Sequence, residues 1–106
     1  MRYGVVEGIR ERMDLQFEWD EAKAAANVRK HGASFEEAIA VFGDPNALTI
    51  FDVEHSDVED RFITTGLSAH GRVLVVVYTE RGKRIRMISC RKATPAERRQ
   101  YEQQVI

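Results

Sequence analysis

Residues 72–91 read RVLVVVYTERGKRIRMISCR, two runs of strand-forming residues joined by a short turn. The first run, 72–79, is apolar on both faces, which is typical of a strand in the centre of a sheet. The segment Glu80-Arg81-Gly82 predicts a tight turn, so the second run, 83–91, returns antiparallel to the first. This hairpin predicts that the C-terminal half of the chain is an antiparallel sheet.

The segments before the hairpin extend the predicted sheet. Alternating apolar and polar residues predict strands at 47–52 and 61–67, separated by the acidic segment VEHSDVED at 53–60, which we interpret as a loop. Together with the hairpin these strands form a four-stranded antiparallel meander. A further short strand is predicted at 15–19, far upstream.

Two helices are predicted between the first strand and the meander. The run EAKAAANVRKH at 21–31 follows Asp20 as an N-cap and precedes Gly32 at the position of a C-terminal glycine. Ser34 and Glu37 have the spacing of a capping box, which predicts a second helix over 35–42.

The last helix is predicted to begin after Thr94, because Thr94-Pro95-Ala96-Glu97 combines an N-cap hydroxyl, a proline in the first turn and a carboxylate three residues on. The order of elements is therefore β-α-α, then a four-stranded antiparallel meander, then a C-terminal helix. Such segregation of helices and strands is typical of an α+β fold.

Length and composition indicate one intracellular globular domain. The chain has 106 residues, of which 43% are hydrophobic and 31% charged. We assign the domain to residues 15–106 and interpret residues 1–14 as an N-terminal extension, either loosely ordered or translated from an upstream start. Neither a secretory signal nor an apolar run long enough for a membrane is predicted, so the cytoplasm is expected. The single cysteine, Cys90, predicts neither an internal disulfide nor a metal site.

Charge is distributed unevenly along the chain. Residues 44–60 contain six acids and no lysine or arginine, whereas residues 81–99 contain eight basic residues and one acid, Glu97. A clustered basic surface attracts phosphates even when the molecule as a whole is nearly neutral. The asymmetry predicts a polyanionic partner, RNA, although a solvated charged face would give the same composition.

The strand at 83–91 contains the strongest candidate for phosphate binding. Side chains alternate across a sheet, so one face carries Arg84, Arg86, Ile88 and Cys90, and the other carries Ile85, Met87, Ser89 and Arg91. If the helices cover the second face, Arg84 and Arg86 lie about 7 Å apart on the open one. Arginine binds two phosphate oxygens at once, which favours a phosphate clamp over a merely soluble surface.

Further candidates lie on the helices. Arg91, Lys92, Arg98 and Arg99 continue the basic surface into the last helix. Glu97 is either a cap or a group that orients an arginine or accepts a proton, and Tyr101 is either a core residue or a platform for base stacking.

In the first helix, Lys23, Asn27 and either Lys30 or His31 form a polar stripe along one side. His31 either transfers a proton near neutral pH or caps the C-terminus of the helix. Neither His55 nor His70, in predicted loops, has a motif around it. The sequence also contains no metalloprotease motif and no glycine-rich phosphate loop.

Three motifs together resemble the BrnT toxin family. They are FEWDxxKxxxNxxKHGxSFEEA at 17–38, RFITTG at 61–66, and RMISCRKA at 86–93 followed by ERxxY at 97–101. The resemblance spans about 15–102. Two departures are the first 14 residues, which precede the family's usual start, and Cys90, where a small residue such as alanine is common.

The resemblance implies a RelE-like ribonuclease fold, RNA cleavage and arrest of translation. It also implies a BrnA-type antitoxin as partner, a DNA-binding protein of the ribbon-helix-helix class. On this basis we expect metal-independent cleavage with no cofactor. We assign Arg61, Arg84, Arg86 and Arg91 to phosphate binding, and Lys23, His31 and Glu97 to proton transfer.

Two other classes of function remain open at this point. The same basic strand would serve a module that binds nucleic acid without cutting it. It would also serve a domain whose basic face docks an acidic protein and has no affinity for RNA.

Overall fold

Five strands form one mixed sheet in the order β1-β5-β4-β3-β2. The computed structural model describes residues 14–55 and 59–105, so the interpretation of the extension lies, apart from Asp14, outside the described residues. Along the chain the elements are β1 (Gln16–Glu18), α1 (Glu21–His31), α2 (Phe35–Ala38), a 3₁₀ turn (Ile39–Gly43), β2 (Leu48–Phe51), a 3₁₀ turn (Val53–His55), β3 (Arg61–Leu67), β4 (Val73–Arg81), β5 (Arg84–Lys92), α3 (Pro95–Glu102) and a last 3₁₀ turn (Gln103–Val105). The prediction of an α+β fold is confirmed.

The predicted sheet lacked one strand. Strands β2 to β5 pair antiparallel with their neighbours in the chain, but β1 joins the sheet as a fifth strand, parallel to β5. The sequence predicted the strand at 15–19 but not its place in the sheet, so the description as a four-stranded antiparallel meander is corrected to a five-stranded mixed sheet. Periodicity along the sequence identifies β1 as a strand but does not reveal its neighbour, which follows from the path of α1 and α2 back to the sheet.

Helices α1 and α2 and the turn after them cover one face of the sheet. Leu74, Val76, Tyr78, Ile85 and Met87 are buried on this face. The helical segment contributes Phe35, Ala38 and Val41, all fully buried. We call this the covered face and the opposite one, which carries Ile63, Thr65, Val75, Val77 and Thr79, the open face.

A β-bulge in β5 changes which side chains share a face. Val77 pairs with Ser89 but Tyr78 pairs with Met87, so Ile88 is an extra residue on β5. As a consequence Cys90 is buried on the covered face. The predicted faces are therefore wrong beyond the bulge: Cys90 lies on the covered face, whereas Ser89 and Arg91, predicted on the face of Ile85 and Met87, lie on the open face beside Val77 and Val75. Strict alternation does not hold across a bulge.

Beyond the end of β1, the side chain of Asn27 forms the hydrogen bonds to β5 that a neighbouring strand would otherwise form. Its buried side-chain amide donates to the Cys90 carbonyl oxygen at 2.8 Å and accepts from the Cys90 N–H at 3.1 Å. The same amide nitrogen donates to the Ala33 carbonyl oxygen at 2.9 Å. These bonds satisfy backbone groups at the edge of β5 that would otherwise be buried without partners.

The local helix signals are largely confirmed. Asp20 caps α1, Gly32 ends it with φ of 67°, and Thr94 and Glu97 form the complete capping box of α3. At α2 only half of the predicted box forms: Ser34 Oγ accepts from the Glu37 N–H, but the Glu37 carboxylate binds Ser68 and Arg72 instead. The second helix also has α geometry only as far as Ala38, not to residue 42.

Gly66 lies where the covered face packs closely against Val41 and Ala47. A Cβ atom there would lie 2.9 Å from Val41 Cγ1 and 3.1 Å from Ala47 Cβ, and Val41 is fully buried. We expect Gly66→Ala to lower the free energy of unfolding by about 1–3 kcal/mol, the usual range for overpacking. Denaturant titration measures it. Gly43→Ala is the matched control, because a Cβ atom at Gly43 meets nothing within 4 Å, and its effect should stay within about 0.5 kcal/mol. Equal stability of both variants would contradict the packing argument.

Candidate active site

A cavity of about 440 Å³ opens at the end of the open face where β3 begins and β4 ends. Its walls are formed by α1, β3, β4, β5 and the segment after β2. It is lined by Lys23, Glu54, His55, Glu59, Arg61, Thr79, Arg86 and Ile88. We call it the arginine cavity.

The sheet register brings the two arginines of the cavity onto one row. Arg61 pairs with Thr79 on β4, and Thr79 pairs in turn with Arg86 on β5. Directly paired residues share a face, and neighbouring strands lie about 4.8 Å apart. The two guanidinium groups therefore rise from backbone positions about 10 Å apart, on either side of Thr79.

The floor of the cavity contains an unsatisfied polar atom. Thr79 is 3% exposed, and its Oγ1 is buried with no hydrogen-bond partner among the described residues. Buried hydroxyl groups normally have a partner, and a missing one calls for an explanation.

Lys23 adds a third cation from outside the sheet. It lies in the first turn of α1, where its N–H donates to Asp20 at 2.9 Å, and its side chain lines the arginine cavity. Lys23, Arg61 and Arg86, taken from three segments of the chain, are thus brought together as predicted site residues.

Carboxylates balance part of this charge. Glu18 on β1 lies 3.6 Å from Arg84 Nε and 3.4 Å from Arg86 Nη1. Glu59 forms an ion pair with Arg81, whose hydrogen bond is the main reason that the pKa of Glu59 is lowered. The open basic face predicted from Arg84 and Arg86 alone is therefore a mixed surface, and Arg84 lies beside the cavity without lining it.

Arg91 and Glu97 form an ion pair further along the open face. Their two hydrogen bonds measure 2.8 and 3.0 Å, and the Thr94 N–H also donates to Glu97. The bond from Arg91 lowers the pKa of Glu97 to about 2, against the opposing effect of burial. With its oxygens occupied and no proton at neutral pH, Glu97 fits the structural alternative rather than proton transfer.

The pair of Arg91 and Glu97 borders an apolar groove of about 290 Å³ on the open face. Its other lining residues are Leu48, Ile50, Ile63, Thr65, Val75, Val77, Ser89 and Gln100. Ile50, on the edge strand β2, is 62% exposed. This half of the open face is therefore suited to apolar contacts rather than to phosphates.

The remaining predicted binding residues lie at the far end of the sheet. Lys92 and Arg98 are exposed around a separate depression, with Lys92 about 20 Å along β5 from Arg86. Tyr101 is buried, and its hydroxyl donates to Asp44 Oδ2. Burial, followed by this bond, raises the pKa of Tyr101 to about 12. Tyr101 is thus a core residue with a polar tip, and its ring is not available for base stacking.

His31 does not join the arginine cavity. It is the last residue of α1, eight residues from Lys23, which corresponds to about 12 Å along the helix axis. Sequence reasoning placed both residues on one polar stripe, but only the N-terminal end of that stripe reaches the cavity.

Sequence reasoning also missed His55, Thr79 and the acids of the cavity. His55 Nδ1 lies 3.1 Å from the Asp52 carboxylate, three residues earlier. The spacing Asp-x-x-His was visible in the sequence, but the segment was interpreted only as an acidic loop. Nothing local indicates that it folds back toward Lys23 and Arg86.

The described residues contain neither a metal-binding cluster nor a helix that could span a membrane. Across residues 14–55 and 59–105, no three His, Cys, Asp or Glu side chains lie close enough together to hold a metal ion. In the same part of the chain, no helix has the length and apolarity needed to span a bilayer.

The fold and the cavity define a class: a small α+β domain with arginine and lysine side chains gathered on an open sheet face. A family model described as the ribonuclease toxin BrnT of type II toxin–antitoxin systems matches residues 19–97. The chain therefore belongs to the BrnT family of ribonuclease toxins.

A solved structure is similar in fold. The crystal structure of the Brucella abortus ribonuclease toxin BrnT has 22% sequence identity and a TM-score of 0.54, covering 76% of this chain and 97% of that one. A search of curated proteins found no match. Membership of a toxin–antitoxin family implies an RNA substrate and a protein antitoxin.

Proposed function

We propose that this protein is an endoribonuclease that cleaves RNA without a metal ion, arrests translation, and is neutralised by a DNA-binding BrnA-type antitoxin. The observation that carries the proposal is the row formed by Arg61, Thr79 and Arg86, with Lys23 on the opposite wall of the same cavity. The proposal includes a RelE-like ancestry for the fold and action in the cytoplasm, where translation takes place.

The reaction requires attack of a ribose 2′-hydroxyl on the adjacent phosphorus. A bond forms between phosphorus and the 2′ oxygen while the bond to the 5′ oxygen breaks, giving a 2′,3′-cyclic phosphate and a 5′-hydroxyl. A base takes the 2′ proton, and an acid gives a proton to the departing 5′ oxygen.

Arg61 and Arg86 hold the phosphate from two sides and stabilise the negative charge that develops on its oxygens. Fixed cations in a partly enclosed site supply this stabilisation without reorganisation at the moment of reaction. Lys23, across the cavity, is the proton donor to the 5′ oxygen. Arg84, held by Glu18, is assigned to the next phosphate along the strand. No step is assigned to His31 or Glu97.

The antitoxin part of the proposal is supported by the apolar groove. Ile50, which lines the groove, is 62% exposed on the edge strand β2. Phe51, on the other face of the same strand, is 45% exposed, and Val53 just beyond is 76% exposed. Exposed apolar side chains at a sheet edge are suited to a protein partner, which would also cover the neighbouring arginine cavity.

The test is incubation of the purified protein with end-labelled RNA in EDTA. We expect cleavage to products with 2′,3′-cyclic phosphate ends, and no cleavage where a single 2′-deoxynucleotide replaces the attacking nucleotide. A requirement for added Mg²⁺ would contradict the metal-free mechanism. Salt-dependent binding without cleavage would identify a nucleic-acid-binding module instead.

A further inference from the structure

The pairing of Asp52 and His55 at the rim of the arginine cavity has a specific geometry. His55 Nδ1 lies 3.1 and 3.2 Å from the two carboxylate oxygens of Asp52. The Asp52 side chain is only 13% exposed, whereas that of His55 is 59% exposed. A sheltered carboxylate thus holds one nitrogen of an accessible imidazole.

Asp52 is itself anchored to the site. Its N–H donates to the Arg61 carbonyl oxygen at 2.9 Å, and its carbonyl oxygen accepts from the His55 N–H at 3.3 Å. These bonds fix the short turn that carries His55 to the residue that begins β3. The imidazole is therefore positioned relative to Arg61 by the backbone as well as by the carboxylate.

The hydrogen bond to Asp52 also selects the tautomer of His55. An ionised carboxylate can only accept hydrogen bonds, so Nδ1 carries the hydrogen and donates it. In the neutral ring Nε2 then has a free lone pair, which is the form that a general base needs. His55 lines the same cavity as Arg61 and Arg86, so the imidazole borders the space in which a phosphate would bind.

We propose that His55 is the general base of the reaction and that Asp52 is its positioning residue. This inference rests on the proposed ribonuclease function. His55 Nε2 takes the proton of the 2′-hydroxyl as the new bond to phosphorus forms, and the imidazolium is stabilised by Asp52. The proton that the 5′ oxygen gains comes from Lys23, and the later loss of the proton from His55 to water restores the enzyme.

The charged groups around His55 come from several elements of the fold. The acids are Glu54 in the same turn, Asp52 just before it, and Glu59 before β3. The cations are Lys23 on α1, Arg61 on β3 and Arg86 on β5.

The test compares His55→Gln and Asp52→Asn with the wild-type protein in single-turnover cleavage between pH 5 and 8. We expect the wild-type rate to rise with pH in this interval, where histidine is the side chain that ordinarily titrates. His55→Gln should lower the rate by about 10²–10⁴-fold and abolish the rise. Asp52→Asn should lower the rate by about 10–100-fold and displace the rise without abolishing it.

Controls separate base catalysis from binding and folding. Affinity for a 2′-deoxy-substituted, uncleavable RNA should change less than about 3-fold in both variants, because the phosphate contacts remain. His70→Gln removes another largely exposed histidine, in the loop between β3 and β4, and should leave the rate and its pH dependence unchanged. Thermal melting confirms that each variant is folded.

The outcomes are distinguishable. A His55→Gln protein with the wild-type rate and pH dependence would overturn the role of His55 while leaving the ribonuclease function intact. A variant whose lost activity is matched by an equal loss of RNA affinity would also overturn it. A wild-type protein that binds RNA but does not cleave it would overturn both proposals.

Discussion

The Arg61→Ala/Arg86→Ala double variant is expected to cause no growth arrest when expressed, and to remain folded. Each arginine acts on the same phosphate from its own strand, so each single substitution should slow RNA cleavage by about 10²–10³-fold, the usual cost of removing one stabilising donor. The double variant should therefore be inactive in practice. Cleavage is measured with labelled RNA and folding by thermal melting.

The electrostatic part of this prediction can be measured separately. Binding to single-stranded RNA weakens with salt by a logarithmic slope of about 0.7 for each phosphate neutralised. Both arginines contact one phosphate, so loss of the pair should make that slope shallower by about 0.7. The single variant Arg86→Lys keeps the positive charge but loses the planar guanidinium group. It should therefore retain most of the salt dependence of binding but only part of the cleavage rate.

A matched control removes two arginines elsewhere. Arg29, in the last turn of α1, and Arg99, in the last turn of α3, are exposed and do not line the arginine cavity. Arg29→Ala/Arg99→Ala changes the net charge by the same amount and should retain toxicity. Growth arrest by a folded Arg61→Ala/Arg86→Ala variant would contradict the assignment of these residues to phosphate binding.

Glu37→Gln is expected to have the largest effect on stability. The Glu37 carboxylate is buried and accepts hydrogen bonds from Ser68 Oγ at 2.7 Å and from Arg72 at 2.7 and 2.8 Å. The substitution removes the charge that pairs with Arg72. Because the Arg72 side chain is 34% exposed and can be partly solvated, we expect a cost of about 3 kcal/mol, the low end of the range for breaking a buried ion pair. Denaturant titration should show this loss of unfolding free energy at neutral pH. Substitution of the exposed neighbour, Glu36→Gln, should cost less than about 0.5 kcal/mol.

The same carboxylate predicts the direction of acid sensitivity. The hydrogen bonds from Arg72 lower the pKa of Glu37 to about 2 from an ordinary value of 4.5. A lowered pKa in the folded state means that the stabilisation is present above pH 4.5 and is lost as the pH falls toward 2. The shift corresponds to about 3 kcal/mol.

Comparison of wild type and Glu37→Gln between pH 6 and pH 2.5 measures this contribution. Wild-type stability should fall more steeply than that of the variant, so the difference between them should narrow as the pH decreases. Glu97, whose pKa is also lowered to about 2, leaves some acid sensitivity in both proteins. Parallel pH curves for the two proteins would show that Glu37 is not the group responsible.

The helix caps and the central hairpin were predictable because their interactions are local. Asp20 reaches an N–H three residues away, and the box of Thr94 and Glu97 spans the same distance. Such bonds depend on neighbouring residues alone, so their spacing in the sequence reveals them. The register of β4 with β5 likewise follows from the turn at Gly82, as far as the bulge at Ile88.

The half-formed box at Ser34 shows the limit of that reasoning. Its spacing is the same as that of the box in α3, but Glu37 binds Arg72, which is 35 residues away. A guanidinium group brought close by the fold is a better partner for a carboxylate than a single backbone N–H. Spacing along the sequence therefore shows which local hydrogen bond can form, and the tertiary environment determines whether it does.

The candidate site likewise combines features that the sequence predicts with features that only the fold determines. Residue type and alternation on one strand led to the prediction that Arg86 binds phosphate, the polar stripe of the first helix indicated Lys23, and the family resemblance added Arg61. Their meeting in one cavity depends on sheet register and on the packing of α1, which join segments far apart in the chain. The bulge at Ile88, the orientation of His55 by Asp52, and the burial of Tyr101 against Asp44 likewise follow from contacts between distant segments or from irregular backbone. A sequence pattern encodes periodicity and the chemistry of each side chain, whereas the identity of a distant neighbour is set by how the whole chain packs.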